Sequence, residues 1–235
     1  MLVSCVIGVV DEEESLKETV SLVLRNASSS IEYEIILVIA PFASKASREI
    51  SNEMTRRDSR IHLEEQKFPG IGGAYNQGFQ EASGDIVILM SSDLETDPSL
   101  IPIMVSNLVS NPNIDVVAVS RWINSNSFEG YSPILRMLNF IFQKLIRLLY
   151  SSNLTDFTYA FRAYRSNSLQ GINWTERTHS FFLESLLRPL NRGASVMEIP
   201  GKWIARTQGV RHIERSAYWH YLKLAITLRL EKKSL

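Results

Sequence analysis

The sequence is poor in several features that mark large classes of proteins. It holds a single cysteine, Cys5, in 235 residues, so no disulfide can form within the chain. A chain without disulfides is typical of a reducing compartment, and we expect a cytoplasmic location. No run reaches the roughly 18 uncharged apolar residues that a membrane-spanning helix needs. Residues 1–8 have the pattern of a strand without a basic leader, so we expect no signal peptide.

Charge and motif content exclude further classes. Lys plus Arg and Asp plus Glu both number 25, so no net positive field favours nucleic acid as a partner. The four histidines show no metal-binding spacing. Walker A, Gly-x-Ser-x-Gly and Cys-x-x-Cys motifs are absent from the sequence. With 45% apolar and 21% charged residues, the composition is that of an ordinary globular protein of one large domain or two fused lobes.

Strand and helix patterns alternate through the first half of the chain. The predicted strands are residues 2–9, 34–40, 61–63, 85–90 and 114–120. The predicted helices are residues 15–27 and 43–57, a Gly-rich helix whose far end is capped by Gly84, and a helix after Pro98. This alternation is typical of an α/β fold with a mostly parallel sheet and helices on both of its faces.

Two apolar helices are predicted in the second half. Pro133 starts a helix that runs to about Tyr150, where proline is favoured in the first turn. Its polar positions share one narrow face, and they are Arg136, Asn139, Gln143 and Arg147. Residues 217–230 are also apolar and aromatic, and the chain carries basic residues at 229, 232 and 233. Both segments suit core helices with cationic ends, and both equally suit helices that lie on a membrane surface.

Residues 68–98 are the most informative part of the sequence. A Gly-rich segment opens a helix, and a short apolar strand then delivers Asp93 and Glu95 to its carboxyl end. In open α/β sheets ligands bind at that edge. Glycines let a backbone approach a ligand closely, and two carboxylates suit a divalent cation that holds a diphosphate. Capping of the next helix by Asp93 or Asp97 is the alternative.

This segment resembles the central motif of the inverting family-two glycosyltransferases of GT-A fold, especially the dolichol-phosphate mannose synthase type. The matching residues are Gly72, Ala74, Asn76, Gly78, Ala82, Gly84, Asp85, Asp93, Leu94 and Pro98. Ser91 stands where that family has the first aspartate of its metal motif. The resemblance implies a GT-A fold, Mg²⁺ or Mn²⁺ as cofactor, and Asp93 and Glu95 as the metal ligands.

The resemblance also implies a site for a nucleotide-diphosphate sugar. The donor-binding residues that it implies are Gly8, Glu13, Gly72, Asn76, Ser91, Ser92, Arg206 and Arg211. Arg206 and Arg211 would close over the diphosphate, with Arg211 in place of a lysine. At the end of the second strand, Ile39 and Ala40 replace two aspartates that help the family to bind the base and the metal-bound diphosphate.

An acceptor site is implied further along the chain. Arg121, in Ala-Val-Ser-Arg-Trp, and Arg136 correspond to two arginines that hold the acceptor phosphate. Arginine suits this role because its planar guanidinium binds phosphate oxygens at two points. Asp156, Phe161, Arg162 and Tyr164 match a further motif, and Glu184 fits a helix-borne glutamate. For a hydroxyl acceptor, Asp156 or Glu184 would be the candidate base.

The expected function is transfer of a sugar from a nucleotide diphosphate to a polyprenyl phosphate, with Asp93, Arg121, Arg136 and Asp156 as the catalytic residues. One GT-A domain is expected over residues 1–213, with a nucleotide-binding half at 1–97 and an acceptor half at 98–213. Residues 214–235 would form a C-terminal amphipathic tail. Together with the helix over residues 133–150, its residues 217–233 would lie on the cytoplasmic face of a membrane. The alternatives are a transferase for a soluble hydroxyl acceptor and a non-catalytic binding protein. The sequence leaves the base and the sugar open.

Overall fold

The computed structural model of the protein describes residues 1–28, 30–124, 127–204 and 217–232. The strands are β1 (Leu2–Val9), β2 (Glu32–Ile39), β3 (Ile61–Glu65), β4 (Ile86–Met90), β5 (Val116–Ser120), β6 (Phe128–Glu129), β7 (Arg162–Arg165), β8 (Val196–Pro200) and β9 (Trp203–Ile204). The helices are α1 (Glu14–Arg25), α2 (Lys45–Arg57), α3 (Gly70–Glu81), α4 (Ile101–Ser110), α5 (Pro133–Tyr150), α6 (Phe181–Asn191) and α7 (Ala217–Lys232). A short 3₁₀ turn, Pro98–Leu100, leads into α4.

Seven of the strands form one sheet in the order β3-β2-β1-β4-β7-β5-β8. The β1–β2, β1–β4, β2–β3 and β5–β8 pairs are parallel. Strand β7 runs antiparallel to both of its neighbours, β4 and β5. Six strands therefore end at the same edge of the sheet, and β7 begins there. Strands β6 and β9 pair separately, in parallel.

The core lies on both faces of the sheet. Alternate residues of β1 enter opposite clusters, since Cys5 and Ile7 belong to one cluster and Val6 to the other. The first cluster is closed by α1, α2 and α4, and the second by α3, α5, α6 and α7. The predicted α/β class, with a mostly parallel sheet and helices on both faces, is confirmed.

The predicted helix cap at Gly84 is wrong. Helix α3 ends at Glu81, and its C-cap is Ala82 in an extended conformation. Gly84 is needed for close packing, because a Cβ there would lie 2.6 Å from Ser4 Oγ and 2.9 Å from Leu2 O. Its N–H donates to Ser4 Oγ, so this glycine fixes the start of β4 against β1.

The predicted division at residues 213 and 214 lies outside the described residues. The predicted halves 1–97 and 98–213 share the seven-stranded sheet, because β7 pairs with β4 on one side and β5 on the other.

Candidate active site

The sheet topology brings three of the four predicted catalytic residues to one edge, and the fourth, Arg136, lies on α5. Asp93 follows β4, Arg121 follows β5, and Asp156 precedes β7, whose direction is reversed. Trp203 follows β8 at the same edge. The turn after β4 is fixed to β1 by a hydrogen bond of 2.9 Å from Ser92 Oγ to Gly8 O. Residues far apart in the sequence therefore surround one region, as expected for an α/β sheet.

A tight turn presents the two motif carboxylates. Asp93 Oδ1 accepts the N–H of Glu95 at 3.1 Å. Leu94 between them has a φ of 60°, which costs a non-glycine residue roughly 1–2 kcal/mol. Backbone strain of this kind concentrates at functional sites. Ser91 contributes its Oγ to a 3.1 Å hydrogen bond with Thr96 Oγ1, which closes the turn.

The second carboxylate of the turn is held from outside. Trp203 Nε1 donates to Glu95 Oε2 at 2.9 Å, and the hydroxyl of Tyr159 donates to Glu95 O at 2.6 Å. Asp97 caps the following turn by accepting the N–H of Ser99 at 2.9 Å. Asp97 is therefore the cap of this turn, whereas Asp93 accepts a hydrogen bond within its own turn.

The donor chemistry of this turn fits a hard cation. Within the described residues, no three His, Cys, Asp or Glu side chains are grouped to hold a metal ion by themselves. Mg²⁺ is usually held by one or two carboxylates together with substrate phosphates and water. Asp93 and Glu95 supply that number of carboxylates, and Ser91 lies in the same turn.

Glu12 is an acidic residue of the site to which the family resemblance assigned no role. Its half-buried carboxylate accepts the N–H of Val10 at 2.9 Å. Burial raises the pKa of Glu12, and the negative charge of Asp93 raises it further, so the two carboxylates share one electrostatic environment. Glu13, the predicted donor-binding residue, is exposed at the start of α1. The signal for Glu12 was present in the acidic run 11–14.

The glycines of α3 face the protein. Gly70 has a φ of +75°, and a Cβ on Gly72 would lie 2.3 Å from Glu176 O. The N–H of Gly72 donates to Arg177 O at 3.0 Å. Asn76 is buried, and its Oδ1 accepts from Gln80 Nε2 at 3.1 Å. The structure thus brings Gly8, Ser91 and Ser92 to the Asp93 turn, and it packs Gly72 against residues 176–181.

Ile39 and Ala40 are buried at the end of β2, where they are only 0% and 2% exposed. The turn that follows them is closed by a 3.0 Å hydrogen bond from Ala43 N to Ala40 O. Phe42, in this turn, is 74% exposed. The end of β2 is therefore buried and apolar at the positions where the resembling family has acids.

Arg121 and Asp156 form a buried two-point ion pair. Arg121 Nε lies 2.7 Å from Asp156 Oδ2, and Nη2 lies 2.9 Å from Oδ1. Arg121 is 5% exposed and Asp156 is 1% exposed. Burial alone would raise the pKa of Asp156, but the charge of Arg121 and the hydrogen bonds from it bring the pKa below its ordinary value. The carboxylate therefore stays ionised and orients the guanidinium.

A polar network holds this pair in place. Gln143 Nε2 donates to Thr158 Oγ1 at 2.8 Å, and Arg121 Nη2 donates to the same hydroxyl at 3.1 Å. Glu198 Oε1 accepts the N–H of Asp156 at 2.8 Å. Burial raises the pKa of Glu198. Gln143, Thr158 and Glu198 were not assigned a role from the sequence, although Gln143 stood out as polar on an apolar helix.

The second predicted acceptor arginine meets the first at an aromatic ring. The guanidinium carbon of Arg136 lies 4.9 Å from the ring centroid of Phe128, and that of Arg121 lies 5.6 Å from the same centroid. Tyr159 contacts Arg121 in the same way at 4.7 Å. Contacts of this kind orient a guanidinium over a ring. Phe128 thus brings together the two arginines that the sequence predicted.

Glu184 is fully buried on α6. It accepts the N–H of Thr175 at 3.0 Å and that of Glu176 at 2.9 Å, and Arg188 Nε lies 2.6 Å from its Oε1. These bonds fix the loop before α6.

Helix α5 turns its uncharged polar residues inward and leaves a row of apolar residues outward. Asn139 and Gln143 are buried, and Arg136 and Arg147 are partly buried. Seven large apolar side chains point outward and are between 41% and 79% exposed: Ile134, Met137, Leu138, Phe140, Ile141, Leu145 and Leu148. We call this surface the outer face of α5. Phe142, Ile146 and Tyr150 are buried beside these polar residues, so α5 packs on the core and also exposes an apolar outer face, which an ordinary soluble core helix does not.

Helix α7 packs beside α5. Tyr150 OH donates to Ala225 O at 3.0 Å, and Arg229 Nε donates to Leu149 O at 3.0 Å. Trp219 is 75% exposed and Leu230 is 57% exposed. Within the described chain, no helix has both the length and the apolarity needed to cross a bilayer. Arg206, Arg211 and the basic residue at 233 lie outside the described residues.

Known proteins resemble the chain in sequence and in fold. It is 25% identical over 226 residues to the dolichol-phosphate mannosyltransferase of Pyrococcus furiosus, a match that covers 95% of this chain and 62% of that protein. The chain therefore spans less than two thirds of that relative. It is 24% identical over 199 residues to the undecaprenyl-phosphate mannosyltransferase of Micrococcus luteus, covering 82% of this chain and 81% of that protein.

Solved structures share the architecture at lower identity. Glucosyl-3-phosphoglycerate synthase from Mycobacterium tuberculosis, in complex with Mn²⁺, UDP-glucose and phosphoglyceric acid, superposes with a TM-score of 0.74 at 14% identity. The match covers 100% of this chain and 80% of that one, and it shows a common GT-A fold. Residues 4–172 match the family described as glycosyl transferase family 2. That match covers most of the 235 residues, and the chain therefore belongs to glycosyl transferase family 2.

Proposed function

We propose that this protein transfers a sugar from a nucleotide-diphosphate sugar to a polyprenyl phosphate, with inversion at the anomeric carbon. The observation that carries the proposal is the orientation of α5. Its inner face is hydrogen-bonded into the network around Arg121, and its outer face exposes apolar side chains. One helix therefore connects the arginine proposed to bind the acceptor phosphate with an apolar surface that suits lipid. The sequence relatives that act on dolichol-phosphate and undecaprenyl-phosphate support this acceptor class.

The protonation chemistry also favours a phosphate acceptor. A hydroxyl acceptor needs a general base, and the candidates from the sequence were Asp156 and Glu184. Both are buried and already accept several hydrogen bonds, and the pKa of Asp156 is lowered. A phosphate monoester has a second pKa near ~6 and is largely ionised at neutral pH, so it needs no base.

In this mechanism a phosphate oxygen of the acceptor attacks the anomeric carbon while the bond from that carbon to the diphosphate oxygen breaks. Arg121 and Arg136 hold the acceptor phosphate in line, and Asp156 keeps the Arg121 guanidinium in one orientation. Asp93 and Glu95 would hold Mg²⁺ or Mn²⁺, which stabilises negative charge on the departing nucleoside diphosphate. We assign Arg206 and Arg211 to the same diphosphate, and Gly8, Glu13, Gly72, Asn76, Ser91 and Ser92 to donor binding.

The outer face of α5, together with Trp219 and Leu230 of α7, would lie on the cytoplasmic surface of a bilayer. Lys144 and Lys223 are exposed basic residues on these two helices and complement anionic headgroups. Each such charge contributes roughly 1 kcal/mol near an anionic surface, so salt should weaken the attachment. Flotation with anionic liposomes at low and high ionic strength measures this. Failure to float at low salt would contradict the membrane assignment.

The activity test uses labelled UDP- and GDP-sugars, polyprenyl phosphate in detergent, and Mg²⁺ or Mn²⁺. We expect label to enter an organic-extractable product, and we expect that EDTA stops the transfer. Transfer only to water-soluble acceptors would favour the soluble-acceptor alternative. If the protein shows no transfer and no nucleotide-sugar binding under any of these conditions, the non-catalytic alternative is favoured.

A further inference from the structure

Five aromatic side chains form a continuous row from the outer face of α5 to the metal motif. Phe140 lies 5.3 Å from Trp122, and Trp122 lies 4.6 Å from Phe128, measured between ring centroids. Tyr131 continues the row at 5.3 Å from Phe128 and 4.9 Å from Trp203. We call these five residues the aromatic row. Ring pairs at such distances stabilise one another and form an ordered apolar surface.

The two ends of the aromatic row differ in burial. Phe140 is 43% exposed, whereas Trp203 is 4% exposed and donates its indole N–H to Glu95. Two exposed apolar residues are close to the outer end in the sequence, since Ile123 follows Trp122 and Met137 precedes Phe140 by three residues on α5. The row therefore leads from the apolar surface of α5 inward to the turn that carries the motif carboxylates.

The two acceptor arginines lie along this row at Phe128. Arg136 and Arg121 both contact its ring, at 4.9 Å and 5.6 Å from the centroid. A phosphate held by these guanidinium groups would thus have aromatic rings next to it. The substituent that it carries would meet the rings of Trp122 and Phe140 on the way to the outer face of α5.

We propose that Trp122 and Phe140 bind the first isoprene units of the acceptor, and that they determine specificity for a prenyl phosphate over a small soluble phosphate. This inference rests on the proposed function and names the residues that contact the hydrocarbon part of the acceptor. A soluble acceptor such as a phosphoglycerate carries a carboxylate and a hydroxyl, which need polar partners when they are buried. A hydrocarbon chain needs no polar partner beside aromatic rings, and its removal from water lowers the free energy of binding.

The test measures binding without transfer and without a membrane. Farnesyl phosphate, 3-phosphoglycerate and inorganic phosphate are titrated calorimetrically into the full chain, below the aggregation concentration of the lipid. We expect farnesyl phosphate to bind at least tenfold more tightly than the other two. Phe140→Ala should lower the affinity for farnesyl phosphate by about tenfold, because ring contacts and apolar burial are lost. The affinity for inorganic phosphate should not change.

Leu148→Ala is the matched control, because Leu148 is 79% exposed on the same helix but lies outside the row. We expect it to change the affinity for farnesyl phosphate by less than twofold. Trp122→Phe keeps a ring in the row and should retain most of the binding.

Equal affinity for farnesyl phosphate and 3-phosphoglycerate would overturn the inference, as would equal losses in Phe140→Ala and Leu148→Ala. These outcomes are distinct from failure of the proposed function. If farnesyl phosphate binding depends on the rings but no sugar is transferred, the proposed transferase function is refuted and the role of the aromatic row in acceptor specificity is retained. If the protein transfers sugar to polyprenyl phosphate and Phe140→Ala does not alter that transfer, the proposed function is retained and the role of the aromatic row is refuted.

Discussion

Arg121 and Asp156 are joined by two parallel hydrogen bonds of 2.7 and 2.9 Å, although 35 residues separate them in the sequence. The pair is possible because β5 and the reversed strand β7 lie side by side, so that the end of one meets the start of the other. Bidentate geometry fixes the plane of the guanidinium. The same carboxylate that the sequence offered as a base thus becomes the group that positions the Arg121 guanidinium.

Loss of Asp156 should be costly to the fold. Asp156→Ala would leave the Arg121 guanidinium buried without its counter-charge, and breaking a buried pair in this way costs about 3–5 kcal/mol. Urea unfolding followed by circular dichroism measures the change. Asp58→Ala is the control, because the Asp58–Arg60 pair is partly exposed and such pairs contribute about 0–1 kcal/mol. Similar losses in both variants would contradict the structural role of the buried pair.

The same carboxylate should make stability depend on pH in the acidic range. Its pKa is lowered from 3.8 in the folded protein, so its contribution is fully present above that value. The contribution is lost as the pH falls through the lower, folded-state pKa. Urea unfolding from pH 5 downward, with wild type against Asp156→Asn, measures this. We expect the difference in the free energy of unfolding to shrink as the pH falls, and a constant difference would argue against the pair.

Metal-dependent donor binding should depend on Asp93. Asp93→Asn removes the negative charge while its Oδ1 can still accept the N–H of Glu95, so we expect the fold to persist and the Mn²⁺-dependent affinity for the nucleotide sugar to be lost. Isothermal titration calorimetry with and without Mn²⁺ reports it. Ser91→Asp should strengthen metal binding, because it adds a hard oxygen ligand.

Asp97→Asn is the control for Asp93→Asn. Asp97 lies in the same segment but caps the following turn, and asparagine caps equally well. Its donor affinity should match that of wild type. Unchanged affinity in Asp93→Asn for every nucleotide sugar tested would remove Asp93 from the metal site.

Arg136 should act on the acceptor and not on the donor. Arg136→Gln removes one of the two charges at Phe128, and we expect at least a tenfold loss in kcat/KM for the acceptor with little change in donor affinity. Arg147→Gln is the control on the same helix, since Arg147 Nε donates to Ser152 O near the helix end. A loss of donor affinity in Arg136→Gln would move this arginine to the diphosphate.

Much of the fold could be predicted because its signals are local. Strand β1 has the predicted bounds, and α5 begins at Pro133 and ends at Tyr150 as predicted. The cap at Gly84 was wrong, because the helix ends at an extended Ala82 and Gly84 serves a contact with β1 that no local pattern reveals.

The site was predictable in composition and less so in its pairings. Asp93, Arg121 and Asp156 could be named because they stand in ordered motifs, but those motifs do not show which side chains pair. The Arg121–Asp156 pair depends on the reversal of β7, and the contact of Arg136 with Phe128 depends on tertiary packing. Likewise, the polar face of α5 was visible in the sequence, whereas its inward direction was not.

The central claim is that the acceptor is a phosphate carried by a lipid, and a competition between acceptors tests it most directly. One reaction contains the protein, Mn²⁺, a labelled nucleotide sugar, and equal concentrations of polyprenyl phosphate in detergent micelles and 3-phosphoglycerate in water. The label is then counted in the organic and aqueous products after short times. We predict that the polyprenyl phosphate takes nearly all of the transferred sugar. Preferential labelling of 3-phosphoglycerate would contradict the account.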